Sequence, residues 1–204
     1  MPFKPDTLQL EVTGGTTGFV RNLWKLDASE KSTAAASTLL PQRMRQVETY
    51  SSRAITTFLA FDRAGVTSLR ILNPPDPDPP RKQIFLFPDI RDLLTSWLYV
   101  RSQRLQPGDS LTFVAFPARD PYLASLRVFG KDNIRVAAGR FNALKVEVRL
   151  QKINNQRGLE PNRKFKRAVA WISNDDNRLI LRVEAEIFVG SIWAELQSVK
   201  FTAP

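Results

Sequence analysis

Histidine and cysteine are both absent from this chain of 204 residues. Without histidine there is no ordinary general base near neutral pH, no Ser-His pair and no imidazole ligand for zinc or iron. Without cysteine there are no disulfides, thiolate nucleophiles or cysteine metal sites. We therefore expect no metal, no cofactor and no catalytic residue. An enzyme built on this chain would have to work with carboxylates, lysine or tyrosine.

Long apolar runs are missing as well, and none approaches the roughly 18–20 residues that a membrane span needs. The first residues, Met1–Lys4, contain no apolar signal core. The sequence therefore predicts no membrane span. It leaves two interpretations of location open: a cytoplasmic protein, or an exported one whose signal peptide has been removed.

The residues that are present favour a folded, basic protein. An apolar fraction of 43%, with 13 Phe and 4 Trp, is enough for a hydrophobic core rather than disorder. A net charge of +10 favours anionic partners such as lipid headgroups, acidic glycans or nucleic acid. The alternative is that the charge only keeps the protein soluble. Neither interpretation of the charge predicts an oligomeric state.

Alternation of apolar and polar residues recurs along the whole chain and predicts β-strands. The clearest runs are 142–150 and 179–187, where every second residue is apolar. Further runs lie at 8–12, 43–50, 54–61, 66–72, 82–87, 110–117, 122–129, 132–137, 165–173 and 192–201. Strands at this spacing predict a mainly β, antiparallel fold within a single domain, 1–204.

One segment, 89–99, has helical rather than strand periodicity. Its apolar residues at i, i+3, i+4, i+7 and i+8 are Ile90, Leu93, Leu94, Trp97 and Leu98. This spacing predicts a short amphipathic helix that packs its apolar face on the sheet, with Asp89 as the N-cap.

Two segments predict loops. The proline-rich stretch 73–81 cannot donate ladder hydrogen bonds and predicts an exposed, extended connection; an inert linker is favoured over a recognition motif. The small and polar residues of 28–38 predict a mobile loop.

Carboxylates give weak signals for a site. Asp175 and Asp176 could bind a hard cation, but their surroundings are typical of a hairpin turn, which we favour. Glu184 and Glu186 share a strand face, a spacing that alternation produces on any solvated strand.

Basic residues are densest between Arg149 and Arg167, around a predicted hairpin loop at 154–158. The candidate anion-binding residues are Arg157, Arg163, Lys164, Lys166 and Arg167. An anion-attracting hairpin and a merely solvated one explain this pattern equally well. Nucleic acid is a poor candidate, because Phe165 is the only aromatic residue there that could stack on a base.

Several blocks in the second half resemble a bacterial family of exported proteins, known as domain of unknown function 3108. The blocks are Asp92–Arg101, Leu105–Asp109, Val136–Val146, Ala170–Arg178 and Gly190–Leu196. Together they cover about 89–199, while 1–88 match only in strand pattern. One departure is Leu179–Leu181, where the family tends to carry a proline.

The resemblance implies a periplasmic or otherwise exported protein with a curved antiparallel sheet or half-barrel, similar to the periplasmic lipoprotein carriers. It implies no activity. We expect a groove for a lipid-like ligand, and the candidate lining residues are Trp97, Leu98, Phe113, Phe129, Trp171 and Trp193. An ordinary core would use the same aromatic residues. The alternative function is docking of acidic glycan or lipid headgroups by the 149–167 hairpin.

Overall fold

The structure, a computed structural model, describes residues 6–23, 25–75, 82–161, 167–187 and 190–200. Most of these residues lie in strands, and every strand pairing within the two sheets for which a register is defined is antiparallel. The prediction of a mainly β, antiparallel fold is confirmed.

The first sheet is a six-stranded meander in which each strand pairs with the next in sequence. Its strands are β1 (Thr7–Gly15), β2 (Leu26–Ala35), β3 (Pro41–Tyr50), β4 (Ala54–Phe61), β5 (Gly65–Asn73) and β6 (Lys82–Leu86). A short helix that was not predicted, α1 (Gly18–Leu23), connects β1 to β2.

The second sheet has seven strands and follows the helix α2 (Leu93–Ser102). Its strands are β7 (Ser110–Ala115), β8 (Tyr122–Val136), β9 (Gly139–Ile153), β10 (Leu159–Pro161), β11 (Arg167–Ser173), β12 (Ile180–Ile187) and β13 (Gly190–Glu195). The order across the sheet is β13-β12-β11-β9-β8-β7, and β10 pairs with the end of β9.

The chain divides into two compact units. The first comprises Met1–Tyr99 and Val114–Pro121, and the second comprises Val100–Phe113 and Tyr122–Pro204. The prediction of a single domain stays a prediction. In the predicted proline-rich loop, Pro74 and Pro75 are exposed, and 76–81 lie outside the described residues.

Strict alternation gives the first sheet two different faces. In β4, Ile55, Thr57 and Leu59 are buried while Phe58 and Ala60 between them are exposed. The buried side, which we call the core face, also contains Met44 of β3 and Val66 of β5. We call the opposite side the solvent face.

The second unit has its main hydrophobic core on one face of the central strands. Leu126, Val128, Leu144, Val146 and Ile172 are all at most 5% exposed there. They come from β8, β9 and β11, which are neighbours in the sheet, so the core is continuous across three strands. A smaller cluster forms around Val136, Ala143 and Leu181.

Helix α2 begins later than predicted and buries a different face. Leu93, which the apolar pattern places toward the sheet, is 38% exposed, whereas Thr95 and Ser96 are 0% and 7% exposed. Asp92, not Asp89, is the N-cap: its Oδ1 accepts from the Thr95 backbone N–H at 2.7 Å, and Thr95 Oγ1 accepts from the Asp92 N–H at 3.0 Å. This reciprocal capping box fixes where the helix starts.

The prediction of a mobile loop at 28–38 is wrong for most of its length. Residues 26–35 form β2, which pairs with β1 on one side and β3 on the other. Its small residues are needed because Ser32 and Ala34 are 2% and 0% exposed on the core face. Low β propensity is overridden here by pairing on both edges.

Gly65 provides a test of the close pairing between β5 and β6. A Cβ atom at this position would overlap the carbonyl oxygen of Phe85 and lie 2.8 Å from Leu86 Cα, and both obstacles are backbone atoms. Gly65→Ala should therefore lower the free energy of unfolding by about 1–3 kcal/mol or more, as overpacking does. The measurement is urea unfolding.

Gly14→Ala is the matched control, because its Cβ would meet no atom within 4 Å in the same sheet. This variant should stay within about 0.5 kcal/mol of wild type. Equal stability of the two variants would contradict the close approach of β5 and β6 at Gly65.

Candidate ligand-binding site

The solvent face of the first sheet carries a row of side chains that changes from cationic to apolar. Lys31 on β2 lies opposite Arg45 on β3, Arg45 lies opposite Phe58 on β4, and Phe58 lies opposite Leu69 on β5. Residues directly opposite in antiparallel strands share a face and lie about 5 Å apart. Two cationic side chains, Lys31 and Arg45, therefore lie next to an apolar surface.

Large apolar side chains are concentrated on this face. The exposed fractions are 38% for Phe58, 41% for Ile71, 63% for Ile84 and 56% for Leu86. Alternation assigns all four to the solvent face, since their neighbours Ile55, Leu59 and Val66 fill the core. Exposed apolar side chains gathered on one face are typical of a surface that binds something, and of these four only Phe58 lines the depression described next.

A depression of about 420 Å³ lies in this face. It is lined by Lys31, Thr33, Arg43, Arg45, Phe58, Ala60, Thr67 and Leu69 of the solvent face, together with Met44 and Leu59, whose side chains are buried. Its volume is within the usual range for small-molecule sites, roughly 300–1,000 Å³. We call this depression the solvent-face groove.

The cationic edge of the solvent-face groove is available to an anion. Lys31 pairs with Glu11 at 3.1 Å, and the Arg45 guanidinium lies 6.0 Å from the centre of the Phe58 ring. Within the part of the chain that the structure describes, no carboxylate lies within 4 Å of Arg43 or Arg45. The groove thus combines an apolar floor with two arginines that have no acidic partner there.

A buried acidic pair lies on the core side of β2, with Glu30 on the strand itself and Asp92 directly before α2. Glu30 and Asp92 are 3% and 0% exposed. Burial, followed by the neighbouring Asp92 carboxylate, raises the pKa of Glu30 from 4.5 to about 7. Burial also raises the pKa of Asp92, against hydrogen bonds from Ser32 and Thr95 that lower it.

Hydrogen bonds hold this acidic pair at the start of α2. Ser32 donates to Asp92 Oδ2, Thr95 Oγ1 donates to Asp92 Oδ1 at 2.7 Å, and Gln46 Nε2 donates to Glu30 Oε2 at 3.2 Å. The pair lies on the opposite side of β2 from Lys31, so it does not line the groove. We interpret it as the element that joins α2 to the sheet.

The structure distributes the six predicted aromatic and leucine site residues over several elements. Trp97 and Leu98 are half-buried on α2, and Phe113 packs against the main core of the second unit. Phe129 is 49% exposed on β8. None of these lines the solvent-face groove.

Trp171 and Trp193 are the two predicted site residues that the structure brings together. The Arg182 guanidinium lies 5.9 Å from the Trp171 ring and 5.1 Å from the Trp193 ring. Trp171 also donates its indole N–H to Asp132 at 2.9 Å, while Trp193 is 58% exposed. Ligand binding by the predicted residues stays a prediction.

The predicted basic hairpin is described only in part. Residues 154–158 form the expected turn, in which Arg157 is exposed with a φ of 62°. Arg163, Lys164 and Lys166 lie outside the described residues, and Arg167 begins β11, opposite Glu186 in register. Anion binding by this hairpin stays a prediction.

Sequence reasoning missed the residues of the solvent-face groove. It predicted the strands 43–50 and 54–61 but assigned no role to Arg43, Arg45 or Phe58. The available signal was phase: in 54–61, Phe58 falls on the side opposite Ile55 and Leu59. A large aromatic residue that alternation places on the solvent side indicates an exposed apolar surface, which is typical of a binding site.

The comparisons with known proteins give one match. A model of a protein family described as "Protein of unknown function (DUF3108)" matches residues 3–197. The match therefore includes residues 3–88, where the sequence resembled the family only in strand pattern. No curated protein and no solved structure matches the chain, so the likeness to the lipoprotein carriers stays a prediction.

Two further findings concern metals and membranes. Among the described residues there is no cluster of three or more His, Cys, Asp or Glu side chains that could hold a metal ion. Neither described helix combines the length and apolarity that crossing a bilayer requires.

Proposed function

The chain belongs to this family of proteins of unknown function, and from that premise we propose that it is a non-catalytic binding protein of the cell envelope that holds an anionic lipid-like ligand in the solvent-face groove. The observation that carries the proposal is the juxtaposition of Arg43 and Arg45 with the apolar floor around Phe58 and Leu69.

Size and shape support a single acyl chain. Ligands of this kind are enclosed by apolar walls and oriented by a small number of polar groups. An acyl chain lying along Phe58, Ala60 and Leu69 would remove apolar surface of both the lipid and the protein from water. This burial favours binding by about 25 cal/mol per Å². This driving force does not depend on the chemical identity of the headgroup.

Charge supports an anionic headgroup at one end. Arg43 and Arg45 would meet the carboxylate or phosphate of a bound lipid, and guanidinium forks bind such groups through paired hydrogen bonds. The net charge of +10 favours the approach of the same ligands. A non-catalytic role is supported by the absence of histidine and cysteine from the sequence. Location in the cell envelope is supported by the resemblance to exported proteins.

The proposal predicts that an acid in the floor of the groove abolishes lipid binding. Phe58→Asp places a carboxylate in the middle of the apolar floor, so it should weaken binding of a fluorescent fatty acid by about 30-fold or more, since desolvating that charge is costly. The measurement is a fluorescence titration with cis-parinaric acid. Because Phe58 is 38% exposed on the solvent face, we expect the variant to fold.

Ile84→Asp is the matched control. Ile84 is exposed on the same face of the same sheet, yet it does not line the groove. This variant should bind the fatty acid as wild type does. The double variant Arg43→Gln/Arg45→Gln should retain apolar binding but lose its dependence on ionic strength. Wild-type protein that binds no fatty acid, or equal loss in the Phe58 and Ile84 variants, would contradict the proposal.

A further inference from the structure

The hairpin formed by β8 and β9 places two arginines directly against each other. Arg135 lies opposite Arg140 in the register, and the nearby residues Asn133 and Asn142 lie opposite each other on the same face. Like charges opposite each other in a β-ladder are destabilising. Folding alone therefore does not account for this arrangement.

No acidic partner relieves the repulsion within the described residues. Both arginines are exposed, and none of the carboxylates that the structure describes lies within 4 Å of either guanidinium. Arg127 on the same strand differs, because it lies opposite Glu147. Arg135 and Arg140 thus have no acidic residue opposite them in the ladder, whereas Arg127 has one.

These four residues border a depression of about 490 Å³, together with Ile134 and Phe141, which alternate with them along the two strands. We propose that this depression is an oxyanion site that binds a phosphomonoester group between Arg135 and Arg140. An anion there would convert a repulsive pair into two attractive ones. The proposal concerns the second unit and does not rest on the function proposed for the first sheet.

The residue types match the chemistry of a phosphate group. Each guanidinium can donate two parallel N–H bonds to two phosphate oxygens, and such charge-assisted bonds are about twice as strong as neutral ones. The amide groups of Asn133 and Asn142 can donate to the remaining oxygens. Lysine in place of arginine would keep the charge but lose the planar fork.

The test is titration of the full chain with inorganic phosphate, followed by ¹H–¹⁵N NMR at constant ionic strength with chloride as the reference salt. We expect saturable shifts of backbone amides confined to 133–142. Arg135→Gln/Arg140→Gln should weaken phosphate binding by about tenfold or more, and Arg135→Lys should weaken it by less, because it keeps the charge. Both changes are at exposed positions, and unfolding by urea checks that the variants fold.

Arg127→Gln is the control, since it removes the same charge from the same strand. A second arm uses phosphatidylcholine vesicles with and without phosphatidic acid. Tighter binding to phosphatidic acid than to free phosphate would identify a lipid headgroup as the source, and equal or weaker binding would identify a soluble phosphate ester. Absence of saturable shifts, or equal loss in Arg127→Gln and the double variant, would overturn the proposal.

Discussion

Replacing Glu30 with glutamine is expected to stabilise the protein above neutral pH and to flatten the pH dependence of its unfolding. The folded-state pKa of Glu30 is about 7, against 4.5 for the ordinary side chain, because the carboxyl is buried and faces Asp92 and Glu48. Ionising it inside the first unit costs free energy that ionising it in the unfolded chain does not.

The sign follows from proton linkage. Between about pH 4.5 and 7 the folded chain binds the Glu30 proton and the unfolded chain does not, so stability is fully present below this window and falls as the pH rises through it. The difference between the folded-state and ordinary pKa values of Glu30 corresponds to about 3 kcal/mol in the free energy of unfolding. The raised pKa of Asp92 acts in the same direction.

Two further carboxylates, Asp27 and Asp132, have pKa values below this window. A hydrogen bond from Arg21 lowers the pKa of Asp27, and one from the Trp171 indole lowers the pKa of Asp132. These groups therefore change protonation at more acidic pH, where their effect on stability has the opposite sign.

The measurement is urea unfolding of wild type and Glu30→Gln from about pH 5 to 8, where glutamine removes the charge but keeps the size of the side chain. We expect the variant to be more stable than wild type by about 1–3 kcal/mol at the upper end and nearly equal at the lower end. Glu11→Gln, at an exposed position on the neighbouring strand, should keep the wild-type slope. A wild-type stability that is constant over this range would contradict the burial of Glu30.

The largest loss of stability is expected from Asp92→Ala. The Asp92 carboxylate accepts hydrogen bonds from Ser32, from the Thr95 hydroxyl and from the Thr95 backbone N–H. Removing it takes away the N-cap of α2 and leaves buried donors without a partner. Loss of a cap and orphaned buried groups together should cost about 3–5 kcal/mol.

A pair of asparagine variants tests which aspartate is the cap. Asp92→Asn keeps one acceptor oxygen and should be less damaging than alanine. Asp89→Asn should remain within about 0.5 kcal/mol of wild type, because Asp89 precedes the helix and asparagine tolerates its φ of 53°. A greater loss in the Asp89 variant would restore the N-cap assignment that the sequence suggested.

The sequence predicted strands well wherever apolar residues alternate cleanly. Ala54–Phe61 was predicted with its observed bounds, because every buried position in it is separated from the next by a more exposed one. Strand β2 was missed because its buried residues include Glu30 and Ser32, which carry no apolar signal. Ser32 donates to Asp92 just before α2, and such a tertiary contact cannot be seen in the local pattern of β2.

The same tertiary effect explains the displaced helix. Periodicity in 89–99 weighs apolar residues alone, whereas the face that α2 buries contains Thr95 and Ser96. Their hydroxyls bond to Asp92 within the same turn, so burial costs them little. The candidate groove could not be predicted from the sequence, because Arg45, Phe58 and Leu69 become neighbours only through the register of β3, β4 and β5.

The most direct test of lipid binding on the solvent face is photocrosslinking with a fatty acid that carries a diazirine on its chain, followed by peptide mass spectrometry. The account predicts labelled residues within 43–60 and 65–71, and loss of labelling when excess palmitate competes. Labelling that palmitate does not reduce, or competed labelling confined to 89–99 or around Trp171 and Trp193, would contradict it.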